Sequence, residues 1–300
     1  MFHFFIAAFL ASSASFALPK VALNWKPEAQ FGGFYAADKS LELLPGGSGT
    51  PTLQMLLAGK TDYAVVSGDE IVIAHDRGNT EVVALFATYQ TNPQILMAHA
   101  SKNYKNIPEV LADPKATILW QQGLPYAQYL IKKLGPIKAK TAPYAGGIGN
   151  FQNDPNIVQQ GFLTSEPQLA QKAGIETTPM TIASEGFNPY TTVLATTKKR
   201  LKEKPQEVKE VVQKLRQGWT DYLKDPTLTN EKMLKLNPSN TAEILKISAQ
   251  QQKSLIETEF TAKNALGKMT SDRWKTLVDQ LADLKIIKSK PTPESLYQDL

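Results

Sequence analysis

The stretch "DYAVVSGDEIVIAHD", Asp62 to Asp76, decides the fold. Tyr63 to Val66 is a short continuous apolar run bounded by polar residues, the pattern of a buried strand. Ser67-Gly68 punctuates it. Asp69 to Asp76 then reads as a helix, with Ser67 and Asp69 both good helix-starting residues. A buried strand passing directly into a helix is half of a βα unit.

The same alternation extends both ways. Upstream, "KVALNW" and "LELLP" read as strands and Phe34 to Lys39 as a helix. Pro51 to Ala58 reads as another helix: Leu53, Leu56 and Leu57 share a face, Pro51 suits the first turn, and Gly59 suits the end. Downstream, "VVALFATY" is a strand. A second series follows, with strands in "ATILWQQG", "AKTAPY" and "VQQGFLTSEP" and helices over Pro125–Leu134 and Glu166–Lys172. After a strand from Tyr190 to Ala195, the rest is helical. Val208, Val211, Val212, Leu215 and Trp219 recur at helix spacing, as do Trp274, Leu277, Val278, Leu281 and Leu284. The expected class is α/β, with mainly parallel sheets flanked by helices.

In such sheets, ligands bind at the loops leaving the carboxyl ends of the strands. Trp25-Lys26-Pro27, Ser67-Gly68-Asp69-Glu70 and Gln90-Thr91-Asn92-Pro93 are three of those loops. They carry polar and aromatic groups where a plain connector needs Gly or Ser. Trp25, Phe31, Phe34 and Tyr35, gathered around the Gly32-Gly33 turn, are therefore expected to face a cleft.

The bulk properties narrow the class. The chain has 300 residues, 33 Lys and Arg against 28 Asp and Glu, and no cysteine. A net charge of +5 spread along the chain gives no nucleic-acid patch. Without cysteine there are no disulfides, thiolate metal sites, Cys nucleophiles or Cys lipid anchors. "MFHFFIAAFLASSASFALPK" carries a short apolar core, Phe4 to Leu10, and a small-x-small site at Ser15-Phe16-Ala17. It reads as a signal peptide over 1–17, although it lacks a basic start. No apolar stretch is long enough to span a bilayer.

Four blocks, "NWKPEAQFGGFYAADK", "AGKTDYAVVSGDEIVIAHDRG", "VVALFATYQTNP" and "VQQGFLTSEPQLAQKAG", occur in an order that resembles periplasmic substrate-binding proteins of ABC importers. The branch is the nitrate/taurine-type and thiamine-pyrimidine-precursor group. The resemblance runs from about Lys20 to Gln217. It implies a two-lobed type II periplasmic-binding fold with the ligand closed between lobes. The first lobe would take 18–98, the second 99–190, and the return with the C-terminal helices 191–300. The chain would cross near Met97–Ser101 and again near Phe187–Thr192. The expected partners are a small-molecule ligand and the permease and ATPase of an importer. The expected form is a periplasmic monomer that is not an enzyme and needs no cofactor or metal. The chain departs from the family between Asp38-Lys39-Ser40 and Leu41, where a Gly-Tyr-Phe-acidic-Gly-like segment is missing.

The resemblance places Glu166 as a carboxylate accepting hydrogen bonds from a ligand amine or ring N–H. Taken as a residue, Glu166 also fits a plain helix-start acid. Trp25, Tyr35 and Trp120 offer flat walls for a ring. Asp69 is a ligand contact if Ser67 supplies the cap. Asn24, Gln90, Asn92, Gln121 and Gln122 add donors and acceptors, and Tyr190 fits either a contact or a hinge residue. Lys26 is the lone base in these loops against three acids. That balance favours an amine-bearing heteroaromatic, such as a thiamine pyrimidine precursor, over nitrate, a sulfonate or taurine, which want Arg, Lys or clustered N–H groups. A pyrimidine-synthase-like enzyme of the same fold is the rival. It needs His, Cys and iron, and here His3, His75 and His99 lack paired metal-ligand spacing.

Overall fold

The computed structural model describes residues 17–121 and 123–300. The expected signal segment through Phe16 and the polar Gln122 lie outside the described residues. Ten strands are described: β1 (Lys20–Ala22), β2 (Glu42–Leu44), β3 (Tyr63–Val66), β4 (Val82–Tyr89), β5 (Gln94–His99), β6 (Thr117–Trp120), β7 (Lys140–Pro143), β8 (Ile157–Phe162), β9 (Thr177–Thr181) and β10 (Thr191–Thr197). They form two five-stranded sheets, ordered β2-β1-β3-β10-β4 and β7-β6-β8-β5-β9. The helices Gly68–Asp76, Pro125–Leu134 and Glu166–Lys172 stand where the sequence expects them.

Both sheets are mixed rather than mainly parallel. β1 runs parallel to β2 and β3, and β6 to β7 and β8. β10 is antiparallel to β3 and β4, and β5 to β8 and β9. The reason lies in where each strand starts. Strands of βα units end at the inter-sheet side. β5 and β10 each begin immediately after the chain crosses between sheets, so they run away from that side.

The outgoing crossing falls earlier than the sequence reading. β4 ends at Tyr89 in the first sheet and β5 begins at Gln94 in the second, so the chain crosses over residues 90–93. Met97 to His99 lie within β5. The return falls between Thr181, the end of β9, and Thr191, the start of β10.

Gly32 and Gly33, expected as a turn, open a short helix, Gly32–Ala36, that packs into the core. Phe31, Phe34 and Tyr35 are buried against the long helix Pro205–Lys224, with Phe34 edge-on to Trp219 at 6.5 Å between ring centroids. A Cβ at Gly32 would sit 2.1 Å from the Tyr222 ring, and one at Gly33 would sit 2.3 Å from Trp219. The absence of side chains at 32 and 33 lets these two large rings seat against the backbone. Each buried ring removes a large apolar surface from water, worth roughly 1.5–3 kcal/mol.

Both crossings are tied to the helix Ser271–Asp283 through Arg273. Its Nε donates to Asn188 O at 2.8 Å, and its Nη2 donates to Asn188 Oδ1 and Pro189 O at 3.0 Å each. Its Nη1 donates to Gln90 O on the outgoing crossing. The guanidinium lies 4.0 Å from the centroid of the Tyr190 ring, a favourable cation–π placement. Asn188 Oδ1 also accepts from Asn92 N–H at 2.8 Å, linking the two crossings directly. Burial lowers the Arg273 pKa to about 10, opposed by Tyr190.

Candidate functional site

A cavity of about 540 Å³ opens between the carboxyl ends of the two sheets. Its first-lobe wall comes from the loop after β1 and from the helix Gly68–Asp76. Its second-lobe wall comes from β8 and the starts of the helices that follow β6 and β8. Four carboxylates line it: Glu28, Asp69, Glu70 and Glu166. Among the described lining residues the one Lys or Arg is Arg77, which is exposed. Lys26 is exposed and does not line the cavity.

Glu166 is fixed at both oxygens. Tyr144 Oη donates to Oε1 at 2.8 Å, and Phe162 N–H donates to Oε2 at 2.7 Å. The residue is 7% exposed. Burial raises its pKa, opposed by the Phe162 amide and then by the Tyr144 hydroxyl. Gly161 on β8 makes room for this carboxylate, because a Cβ there would meet Oε2 at 2.7 Å and Cδ at 2.9 Å. Gly161→Ala is therefore expected to displace the Glu166 carboxylate and cut ligand affinity while the protein still folds. Titration calorimetry beside a melting curve checks this, and unchanged affinity would refute it.

Glu28 reaches Glu166 from the opposite lobe. Ser165 Oγ donates to Glu28 Oε2 at 3.2 Å across the cleft. Burial, and then the Glu166 charge, raise the Glu28 pKa to about 7 against the Ser165 hydrogen bond and Lys26. Glu70 closes the first turn of its helix by accepting from Ser67 N–H at 2.8 Å and from Ser67 Oγ at 3.1 Å. Burial and then Asp69 raise it to about 7. Asp69, 8% exposed, is raised mainly by burial.

These shifts fix the sign of a pH effect. Glu28 and Glu70 titrate near 7 in the fold and near 4.5 when unperturbed. Between those values the folded protein holds more protons than the unfolded chain, so stability falls as pH rises. The contribution is full below the unfolded value and is lost as pH passes about 7. The ligand-free protein is expected to melt higher at about pH 5.5 than at about pH 8. A melting temperature that falls on acidification over this window would count against buried carboxylates at the site.

Of the residues singled out in the sequence, Asn24, Trp25, Ser67, Asp69, Gln121 and Glu166 line the cavity. Tyr35 does not: it is buried against the core beside Gly32 and Gly33. Trp120 points into the second-lobe core, edge-on to Tyr126 at 6.2 Å. Gln90 donates to Lys268 O at 3.1 Å. Tyr190 lies under Arg273, and its hydroxyl accepts from Thr270 N–H at 2.9 Å. Both lie at the crossings between the sheets. Asn92 is likewise bound up in the crossing, its side chain bonded to Gln94.

The aromatic surface the sequence reading assigned to Trp120 and Tyr35 is supplied instead by Tyr126, Tyr144 and Phe162. Gln160 orients one of them, accepting from Tyr126 Oη at 2.9 Å and from Gln121 N–H at 2.6 Å. Each of these residues follows, or ends, a strand at the cleft side. That position is the signal available in the sequence.

His75 Nε2 sits 2.8 Å from Val82 O, and His99 Nε2 sits 2.7 Å from Phe151 O with its ring stacked on Phe151. Neither lines the cavity. Among the described residues no cluster of three or more His, Asp and Glu is arranged to hold a metal ion. No helix among them is long and apolar enough to cross a membrane.

The NMT1/THI5 like family profile matches residues 28–136 and 152–229, more than half of the chain. The chain belongs to the NMT1/THI5-like family. No match to a curated protein sequence reaches significance. Among solved structures, the alkanesulfonate-binding protein SsuA of Xanthomonas axonopodis pv. citri, bound to MOPS, is similar at TM-score 0.70 and 8% identity, covering 96% of this chain and 100% of that one. The periplasmic aliphatic sulphonate-binding protein SsuA of Escherichia coli is similar at TM-score 0.69 and 8% identity, covering 94% and 93%. A Candida albicans protein with the generic periplasmic binding protein fold is similar at TM-score 0.64 and 15% identity, covering 94% and 96%. This NMT1/THI5-like chain thus has the periplasmic-binding-protein fold, with two mixed sheets facing a common cavity.

Proposed function

We propose that this protein is the extracytoplasmic binding component of an ABC importer, capturing an amine-bearing heteroaromatic molecule such as a thiamine pyrimidine precursor. The observation that carries the reading is the charge of the cavity: four carboxylates against one exposed base. An anion entering it would hold these raised carboxyls in their neutral form and gain no cationic partner, whereas a protonated amine would favour their ionised form and meet fixed acceptors. Trp25, Tyr126, Tyr144 and Phe162 supply ring faces beside Glu166, the mix of apolar wall and few placed polar groups that holds small rings. The two SsuA proteins are named for sulfonate binding and share the fold at 8% identity, so the ligand of this chain is argued from its own cavity lining.

The same reading makes the protein a binder rather than an enzyme. It acts as a monomer with a permease and an ATPase, after export and cleavage following Ala17. N-terminal sequencing of the mature protein tests the export step, and Met1 retained there would refute it. The ligand test is titration calorimetry with an aminomethylpyrimidine beside nitrate, taurine and ethanesulfonate. The pyrimidine is expected to bind and the three anion-bearing compounds to fail. Binding of the anions alone would overturn the reading.

A further inference from the structure

Two neutral polar side chains in the cavity wall have no use in the fold. Gln30 and Thr192 both line the cavity and are 8% and 5% exposed. Among the described residues neither side chain donates to or accepts from another group. Yet neither has its polar atoms sealed away, as the adjacent Thr191 hydroxyl is. The unbonded carboxamide and hydroxyl therefore open onto the cavity. Other polar groups of the same wall are committed: Glu70 to Ser67, and Glu166 to Tyr144 and the Phe162 amide.

Both residues are fixed by their surroundings. Gln30 is the middle residue of the 3-10 turn Ala29–Phe31. Ala29 O accepts from Gln252 Nε2 at 2.9 Å, and Phe31 is fully buried. The backbone on either side of Gln30 is thus held while its carboxamide is left unengaged, the condition of a preorganised contact. Thr192 lies in β10 with φ at +52°, in the left-handed region. A β-branched residue is an outlier there, and glycine would adopt that backbone without steric cost. Asn103, Ala265 and Lys285 also have positive φ, but none of them lines the cavity. Strain kept at a buried, unbonded residue of a ligand cavity points to a role for its side chain.

The chemistry that suits these groups is neutral hydrogen bonding. A carboxamide offers two donors and an acceptor, and a hydroxyl offers a donor and two lone pairs. Before a ligand enters, water can serve both. A ligand displaces that water, and one without matching nitrogens leaves both groups desolvated and unpaired. A site built this way rejects the analogue that lacks the matching groups.

We propose that Gln30 and Thr192 contact the ligand and read its neutral hydrogen-bonding groups, ring nitrogens and an exocyclic amino group, so that the cavity selects a nitrogen heterocycle over a plain arylalkylamine. This rests on the amine-binding reading above and extends it from the charge of the ligand to its ring.

The experiment is titration calorimetry with 4-amino-5-aminomethyl-2-methylpyrimidine against benzylamine, which keeps the aminomethyl group on a ring without nitrogens. The pyrimidine is expected to bind about tenfold or more tightly. Gln30→Met and Thr192→Val keep size and shape but remove the polar atoms. Each is expected to weaken the pyrimidine about threefold to tenfold and to leave benzylamine within about twofold. Thr192→Ser, which keeps the hydroxyl, is expected to retain the preference. Melting curves should show no loss in either apolar variant, because neither polar group bonds within the protein. If Thr192→Val does not fold, Gln30→Met decides. A substitution that leaves the ratio unmoved, or that weakens both probes alike, would overturn the assignment of its residue. Equal affinity of the wild type for both probes, with Glu166→Gln weakening both, would overturn ring reading and leave the amine reading standing. Binding of neither probe would overturn both.

Discussion

Arg273→Ala is expected to lower the melting temperature by about 5 °C. The guanidinium donates to the carbonyls of Gln90, Asn188 and Pro189 and to the Asn188 side chain. Truncation leaves these acceptors, on both crossings, without their donor. Each buried acceptor left bare costs roughly 1–3 kcal/mol, and water entering the vacated space offsets part of it. A net loss of about 3 kcal/mol is a fair midpoint. The contact with Tyr190, 4.0 Å away, is lost as well. Arg273→Lys keeps a charge but not the planar fork, so it reaches fewer acceptors and should fall between wild type and alanine. Differential scanning calorimetry on the three proteins decides. An alanine variant melting within about 1 °C of wild type would mean that the clamp contributes nothing.

Glu166→Gln is expected to weaken binding of an amine-bearing ligand by about tenfold to a hundredfold, with folding intact. The substitution suits the local bonding. A carboxamide oxygen can still accept from Phe162 N–H, and its NH2 can turn to Tyr144 Oη, which also accepts. What is lost is the charge. Trp25→Ala offers the contrast. It removes a ring face from the cavity wall, so ring ligands with and without an amine should weaken together, by a factor of a few to about tenfold. Calorimetric titration of both variants with an aminopyrimidine and its deaminated analogue separates charge from stacking. Unaltered affinity in Glu166→Gln would reduce this carboxylate to a helix-start acid.

Much of the fold was legible because its signals are local. "VVALFATY" is apolar end to end, and all eight residues of β4 are buried. Pro125 and Glu166-Pro167 mark helix starts that the structure places at the same residues. One strand was hidden, and one crossing was placed late: β5 follows β4 after only residues 90–93, so the crossing was read inside the second apolar run. β9, "TTPMT", contains Pro179, which argues against a strand. It survives because β9 lies at the edge of its sheet, where a missing N–H is tolerated.

The site was legible where a loop named it and opaque where distant chain decided it. Ser67, Asp69 and Glu166 follow from βα logic. Phe34 and Tyr35 are drawn inward by Trp219 and Tyr222, nearly two hundred residues later. No pattern near Gly32 announces those partners. In the same way Trp120, expected as a cavity wall, is buried edge-on against Tyr126, a partner it meets only through the packing of the next helix.

The order of strands in the first sheet also governs how the polypeptide acquires structure as it emerges. β3 and β4 do not pair with each other; β10 lies between them. More than a hundred residues separate the end of β4 from the start of β10. Until that late strand arrives, β3 and β4 present unpaired backbone on the edges meant for it, a template for association between nascent chains. The latch at Arg273 is synthesised later still. Assembly therefore cannot finish from the N-terminus forward, and a stretch of long-range pairing must wait, which slows folding. A first lobe that cannot close early stays open until most of the chain has been made.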